Sequence, residues 1–364
     1  MTGRASAASR ASLSRCRVRA VFIAVGLWPV LALANPFSAL PPRPLADIPA
    51  AGKILVTLDD GDYVLPRFSP DARYLAFAHV VMQGETELTE IRALDLATRK
   101  AVTLLDARGS REFAVYRSFV TGFSWQDAGT LRATLSDGDV NGVHLTFNVA
   151  TGKLAGKKPF SLTDDAAGGE APAPPELVAA FPTLPPPVLA NAVANGFKVG
   201  EGKYVVQKNY WQQDNHVWLL DAGRRRMTRL VDIPDAWIYS LRGAFASGNA
   251  VMLLVAYGPE AWLVRHAGGK LELLHRFPVK SYQQIGLRVE HALGERVLFQ
   301  VRTGPDYEKR ENLLFIYDKS GLVKIRESAP VYDLDADAAG RLLALSQWHG
   351  NRRRLVVREW KHPR

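Results

Sequence analysis

Any chemistry in this chain must come from residues that lie far apart in the sequence. Its eight histidines stand singly, at His79, His144, His216, His266, His275, His291, His349 and His362. No His-Glu-x-x-His run offers a helical zinc site. No Gly-x-Ser-x-Gly run sets a serine nucleophile on a strand-to-helix turn, and the glycine runs that cradle phosphates or dinucleotides are absent. The nearest approach to a Ser-x-Asp-x-Gly-x-x-Trp box, Ser69-Pro70-Asp71-Ala72-Arg73, lacks both glycine and tryptophan. Carboxylates alternate at Asp137-Gly138-Asp139, which reads as a turn, and at Asp333-Leu334-Asp335-Ala336-Asp337. The second run, in a strand, puts three carboxylates on one face, where they either bind a cation or, the favoured expectation, cap turns and meet solvent. No catalytic residue, metal ligand or cofactor is assigned.

The elements that would position such residues repeat. Residues 66–77 read as the end of a strand, a Ser-Pro-Asp turn and a second strand. Copies of that second strand begin at Arg73, Thr130, Lys203, Ala250, Arg296 and Arg341, spaced 57, 73, 47, 46 and 45 residues apart. The spacing of 73 contains a Pro/Ala-rich insert at 162–187, and the spacing of 57 a long connection near 106–116. Six units of about 46 residues remain, each with four strands and tight turns, the anatomy of a propeller blade. The sixth unit stops at its third strand, 354–360, while a lone strand at 53–59 precedes the first unit. Pairing the two completes the last blade and removes two exposed edges. The expected fold is all-β, a six-bladed β-propeller over 53–364, closed by its N-terminal strand and preceded by an extended lead-in at 35–52.

In that fold the turns between second and third strands share one face with the connections between blades. They carry exposed aromatics beside charges, the composition of recognition surfaces. Tyr210, Trp211, Tyr307, Trp348 and His349 are therefore binding candidates, with packing between blades as the competing reading for Tyr210 and Trp348. Aligning the inner strands by eye sets Asn195, Arg242, Arg288 and Asp333 at equivalent positions. They either ring the channel mouth and hold an anionic group or, the favoured expectation, pair with one another. Arg224-Arg225-Arg226 falls on the opposite face from Arg352-Arg353-Arg354, so the two basic runs do not form one patch.

The first 34 residues carry five arginines and no acid, then an apolar run of about 15 residues closing at Ala32-Leu33-Ala34. These are the marks of a signal peptide cleaved after Ala34, and the run is shorter than the ~20 residues of a spanning helix. Removing it lowers Lys plus Arg from 46 to 41 against 36 acids, so the net charge falls from +10 to +5. That weakens any case for a nucleic-acid partner. Cys16, the only cysteine, leaves with the segment, so stability rests on the core rather than on disulfides. The expected location is the periplasm or the exterior, with no membrane span after cleavage.

The run Pro66-Arg67-Phe68-Ser69-Pro70-Asp71-Ala72-Arg73-Tyr74-Leu75-Ala76-Phe77 resembles the propeller repeat of TolB-like bacterial envelope proteins, a WD40-like repeat. Fragments recur at Phe123–Gly129 and Asp337–Leu342, and Ala72 stands where the family pattern has glycine. The resemblance implies a six-bladed ring over about 53–364. It assigns no binding residue, because the motif is architectural. The expected function is a non-enzymatic scaffold that binds an envelope protein or peptide through its loop face. The alternatives are a hydrolase, lyase or lactonase working from the central channel, and a glycan binder using Trp211, Tyr307 and Trp348.

Overall fold

The computed structural model describes residues 37, 40–41, 44–83, 86–106, 119–136, 141–161, 172–207, 216–231, 240–257, 259–279, 285–304 and 311–361. Six antiparallel meanders follow one another along the chain. Sheet one holds β3 (Asp62–Phe68), β4 (Tyr74–Gln83), β5 (Thr86–Asp95) and β6 (Lys100–Leu105). Sheet two holds β7 (Phe119–Trp125), β8 (Thr130–Ser136), β9 (Asn141–Asn148) and β10 (Lys153–Ser161). In sheet three are β11 (Phe197–Gly200), β12 (Lys203–Gln207), β13 (Val217–Asp221) and β14 (Arg226–Val231). Sheet four is built from β15 (Ser240–Ser247), β16 (Ala250–Tyr257), β17 (Glu260–Ala267) and β18 (Lys270–Pro278). Sheet five has β19 (Gly286–Leu293), β20 (Arg296–Thr303), β21 (Glu311–Asp318) and β22 (Gly321–Arg326). Sheet six has β23 (Val331–Ala336), β24 (Leu342–His349) and β25 (Arg352–Glu359), and its fourth strand is β2 (Ile54–Leu58), antiparallel to β25. Six sheets, each with a four-stranded antiparallel meander, are in this order consistent with a β-propeller.

Apart from β8, where Arg132 is exposed, the second strands are buried on both faces, which explains their apolar runs. In β4, Ala76 and Ala78 face sheet two while Leu75 and Phe77 face sheet six. In β16, Val251, Leu253 and Val255 pack toward sheet three, and Met252, Leu254 and Ala256 toward sheet five. Leu298 and Ile316 of sheet five meet Leu343 and Val356 of sheet six. Sheet three is covered on its other side by helices. Within the 162–187 insert and just beyond it lie α1 (Pro175–Ala180) and α2 (Pro186–Ala194), each with proline at its first turn, where no backbone donor is lost. Leu177 and Leu189 pack there on Tyr204, Val206 and Leu220.

Turn chemistry repeats with the strands. Asp71, Asp127 and Asp337 each accept backbone N–H groups in the turn after a first strand: Arg73 at 3.1 Å, Gly129 and Thr130 at 2.8 and 2.7 Å, and Arg341 and Leu342 at 2.5 and 2.7 Å. These Asx-type acceptors fix the hairpins, and the backbone and side-chain donors hold the Asp71 and Asp127 carboxyls below their ordinary range. Ala72 sits at φ +56°, where the related pattern has glycine.

The lead-in is more than extended chain. Phe37 is fully buried and stacks on Trp262 at 5.2 Å, within the core shared by sheets three and four. Leu45 packs on the core between sheets four and five, and Ile48 on that between five and six. Ile48 belongs to β1 (Ala46–Pro49), which pairs in parallel with β22 as a fifth strand on sheet five where the sequence predicts only an extended lead-in. The proposed signal segment lies outside the described residues. Among the described residues no helix is long and apolar enough to cross a membrane.

Candidate functional site

Inner strands carry a bulge near one end, and the bulges set which side chains share a level. The shifts fall between Val64 and Arg67, Val120 and Gly122, Leu241 and Gly243, Val289 and His291, and Val331 and Asp333. Arg242 is thus level with Glu290 and Tyr332, one or two residues from the Arg288 and Asp333 that alignment by eye had matched to it. Asn195 is not on an inner strand at all. It closes α2, where its side chain bonds Asn191, because the helix continues to Ala194 before β11 begins.

Three neighbouring inner strands, β19, β23 and β3, meet in a polar cluster. Arg288 donates to Glu290 twice, at 2.5 and 3.0 Å, and to the Leu334 carbonyl at 2.5 Å, with Asp333 at 3.8 Å. Gln300 donates to Glu290 at 2.5 Å. From the other side Arg67 donates to Leu334 O at 3.3 Å and lies 3.9 Å from Asp335. The Phe68 N–H donates to Asp335 at 2.8 Å. Burial pushes the Asp335 carboxyl up to about 6, against the attraction of Arg67 and with the repulsion of Glu290. Burial likewise raises Glu290, although Arg288 and Gln300 oppose it. The favoured expectation, pairing, describes Arg288 and Asp333. The three alternating carboxylates divide: Asp333 and Asp335 join the cluster, while Asp337 caps a turn. Among the described residues no group of three or more His, Cys, Asp or Glu is arranged to hold a metal ion.

A second feature opens beside the cluster. A cleft of about 700 Å³ runs over β3 from Tyr332 and Trp348 of sheet six to Val120 and Thr121 of sheet two. Its volume falls within the range of ligand pockets. Arg353 organises one rim. It is fixed to Asp62 by two side-chain bonds of 2.6 and 2.5 Å and by its own N–H at 2.9 Å. Its guanidinium lies 4.6 Å from the Tyr332 ring and 5.5 Å from the Trp348 ring, and the two rings meet edge to face at 5.6 Å. Such desolvated cation–π contacts stabilise the rim. Trp348 is therefore half-packed, half-presented, and His349 stands exposed beyond it. Tyr210, Trp211 and Tyr307 lie outside the described residues.

The cleft floor is strained. Leu65 adopts φ +56° directly before Pro66, a conformation costing about 1 kcal/mol or more in a non-glycine residue. It is held from both sides by sheet six, through Ser346 Oγ donating to Tyr63 O at 2.6 Å and through Asp335 accepting from Phe68 N. The sequence offers Arg353 only as part of the basic run 352–354, and Asp62, Leu65, Arg67, Glu290 and Tyr332 not as site residues at all. The alternation Arg288-Val289-Glu290 was the one local signal available.

Elsewhere, His79 pairs with Glu90 at 3.0 Å, and Arg92 grips the same oxygen at 2.6 Å. Burial pushes the Glu90 carboxyl up, but these two partners outweigh it and leave it below its ordinary value. Tyr63 stacks on His79 and donates to Asp60. This chain ties sheet one to the segment entering it.

No family model matches the chain, and no curated protein matches it. Solved structures similar to it include a prolyl endopeptidase, at 12% identity over 81% of this chain and 40% of that one, TM-score 0.29. Another is the β-propeller domain of the Trilobed protease from Pyrococcus furiosus, at 13% identity over 83% and 82%, TM-score 0.31. TolB from Acinetobacter baumannii is similar at 12% identity over 82% and 54%, TM-score 0.31. The chain thus spans well under two thirds of the prolyl endopeptidase and about half of TolB. These likenesses assign no activity, ligand or partner to it.

Proposed function

We propose that the chain is an exported six-bladed β-propeller, closed into a ring by β2 on β25, that binds a protein or peptide of the bacterial envelope through the face bearing its second-to-third-strand turns. The observation that carries the reading is the cleft beside Trp348, Tyr332 and the Asp62–Arg353 pair. It has apolar walls, a rim of rigid aromatics around an arginine, and a floor held in a strained backbone, which are features of a preorganised recognition surface. The inner-strand arginines and carboxylates support binding over catalysis, since they are bonded to one another rather than aimed at a common open point. The arginine-rich, apolar N-terminus supports export.

The test starts from peptides displayed on phage and selected on the purified chain. They are titrated by fluorescence anisotropy against wild type, Trp348→Ala and Val64→Asp. A tenfold or greater loss in both variants, at unchanged far-UV circular dichroism, is expected. Peptides that bind all three proteins alike place recognition elsewhere and overturn the cleft. Sequencing the N-terminus of exported protein checks processing, with Asn35 expected first.

A further inference from the structure

The inner-strand cluster holds three carboxylates, Glu290, Asp333 and Asp335, against two guanidiniums, Arg67 and Arg288, at the seam where sheets five, six and one meet. The Glu290 and Asp333 side chains are 3% and 9% exposed. Asp335 is 21% exposed, so one negative charge is in excess in a place only partly reached by water, an arrangement that favours uptake of a proton. The mechanical placement matters as much. β3 carries Asp62 at the cleft rim, Leu65 at its floor, and Arg67 and Phe68 in the cluster. β23 carries Tyr332 in the cleft wall and Asp333 and Asp335 in the cluster.

We propose that this cluster is a proton-controlled latch across the seam between sheets six and one, shut with a proton on Asp335 and loosened, cleft walls included, when the seam opens and that proton passes to water. It is a form of regulation of the cleft, and it rests on the reading of the cleft as the binding site for its consequence, though not for its test. The groups facing Asp335 are Arg67 on β3, Glu290 and Arg288 on β19, and the Phe68 N–H. The direction follows from burial. The shut state raises the carboxyl to about 6 from an ordinary 3.8, so the proton is held more tightly shut than open. Opening is therefore least at low pH and rises across that window, by about tenfold between pH 5 and pH 7.

Amide exchange tests this without a ligand. The reporters are Phe68 N–H, bonded to Asp335, and Arg353 N–H, bonded to Asp62. After correction for intrinsic exchange, the protection of both is expected to fall about tenfold from pH 5 to pH 7. In Asp335→Asn, which keeps an acceptor for Phe68, protection should be flat. In Glu290→Gln, which removes a like charge, the fall should move to lower pH. Protection at Phe68 that does not change with pH in wild type, or that changes equally in Asp335→Asn, overturns the latch. A pH response at Phe68 with none at Arg353 overturns its coupling to the cleft. If both amides respond but Val64→Asp leaves peptide binding intact, the latch stands and the assignment of the cleft fails.

Discussion

Arg67 and Arg288 donate to the same atom, the carbonyl oxygen of Leu334, from opposite sides. One belongs to the first sheet and the other to the fifth, so a single peptide group of sheet six is gripped by both its neighbours. The two bonds differ in what stands behind them. Arg288 also neutralises a buried carboxylate, whereas Arg67 meets Asp335 only at 3.9 Å.

That difference ranks two substitutions. Arg288→Ala leaves Glu290 buried with Gln300 as its remaining donor, and is expected to lower stability by about 3 kcal/mol. Arg67→Ala should cost about 1 kcal/mol. The shift in urea midpoint at constant slope measures both. Equal losses would mean that Glu290 finds another partner.

Asp335 gives a stability profile of definite sign. Its folded-state value of about 6 lies above the unfolded 3.8, so the fold binds this proton more tightly than the unfolded chain does. Its contribution is fullest below 3.8 and is lost as pH rises through 6. The advantage of Asp335→Asn over wild type should therefore grow by about 2 kcal/mol between pH 4.5 and pH 7.5. Urea titrations at the two pH values decide it.

Ala72 occupies a left-handed position between Asp71 and Arg73. Ala72→Gly removes the steric penalty and adds some chain entropy to the unfolded state. A net gain of about 0.5 kcal/mol is expected, read as a small rise in melting temperature. A fall would show that the side chain contributes packing at the turn.

Phe37 is fully buried against Trp262 in the core shared by sheets three and four, whereas the cleft lies over sheets six, one and two. Phe37→Ala should lower stability by about 3–4 kcal/mol while leaving peptide affinity at the cleft unchanged. Differential scanning calorimetry paired with anisotropy separates the two effects.

Local signals made much of the fold legible. Turn aspartates, recurring second strands, a spare strand before the first unit and a missing fourth strand in the last are properties of short windows, and counting them gave six sheets and the β2–β25 pairing. Ala46-Asp47-Ile48-Pro49 was not legible as a strand, because its parallel partner β22 lies some 277 residues away and nothing in four residues announces it. Prolines hid α1 and α2, since Pro175 and Pro186 read as breakers although they begin helices. The site was least legible of all. Phe68 and Asp335 are 267 residues apart, as are Arg67 and Leu334, so only the closing of sheet six against sheet one brings them together. Arg288 and Asp333 could be named as candidates, but a bulge at Val289/His291 moved Glu290 into the role of principal partner.

The pairing of β2 with β25 also constrains how the molecule can be made. The chain leaves the ribosome N-terminus first, so β2 emerges some 300 residues before its only antiparallel neighbour among the described strands. Until Arg352–Glu359 appear, β2 and β24 both present open edges, the condition that invites pairing with other chains. A chain stalled before Arg352 would hold five formed sheets and still be prone to aggregation. Holding the growing chain apart from its neighbours until β25 arrives is thus a demand that the topology places on the cell.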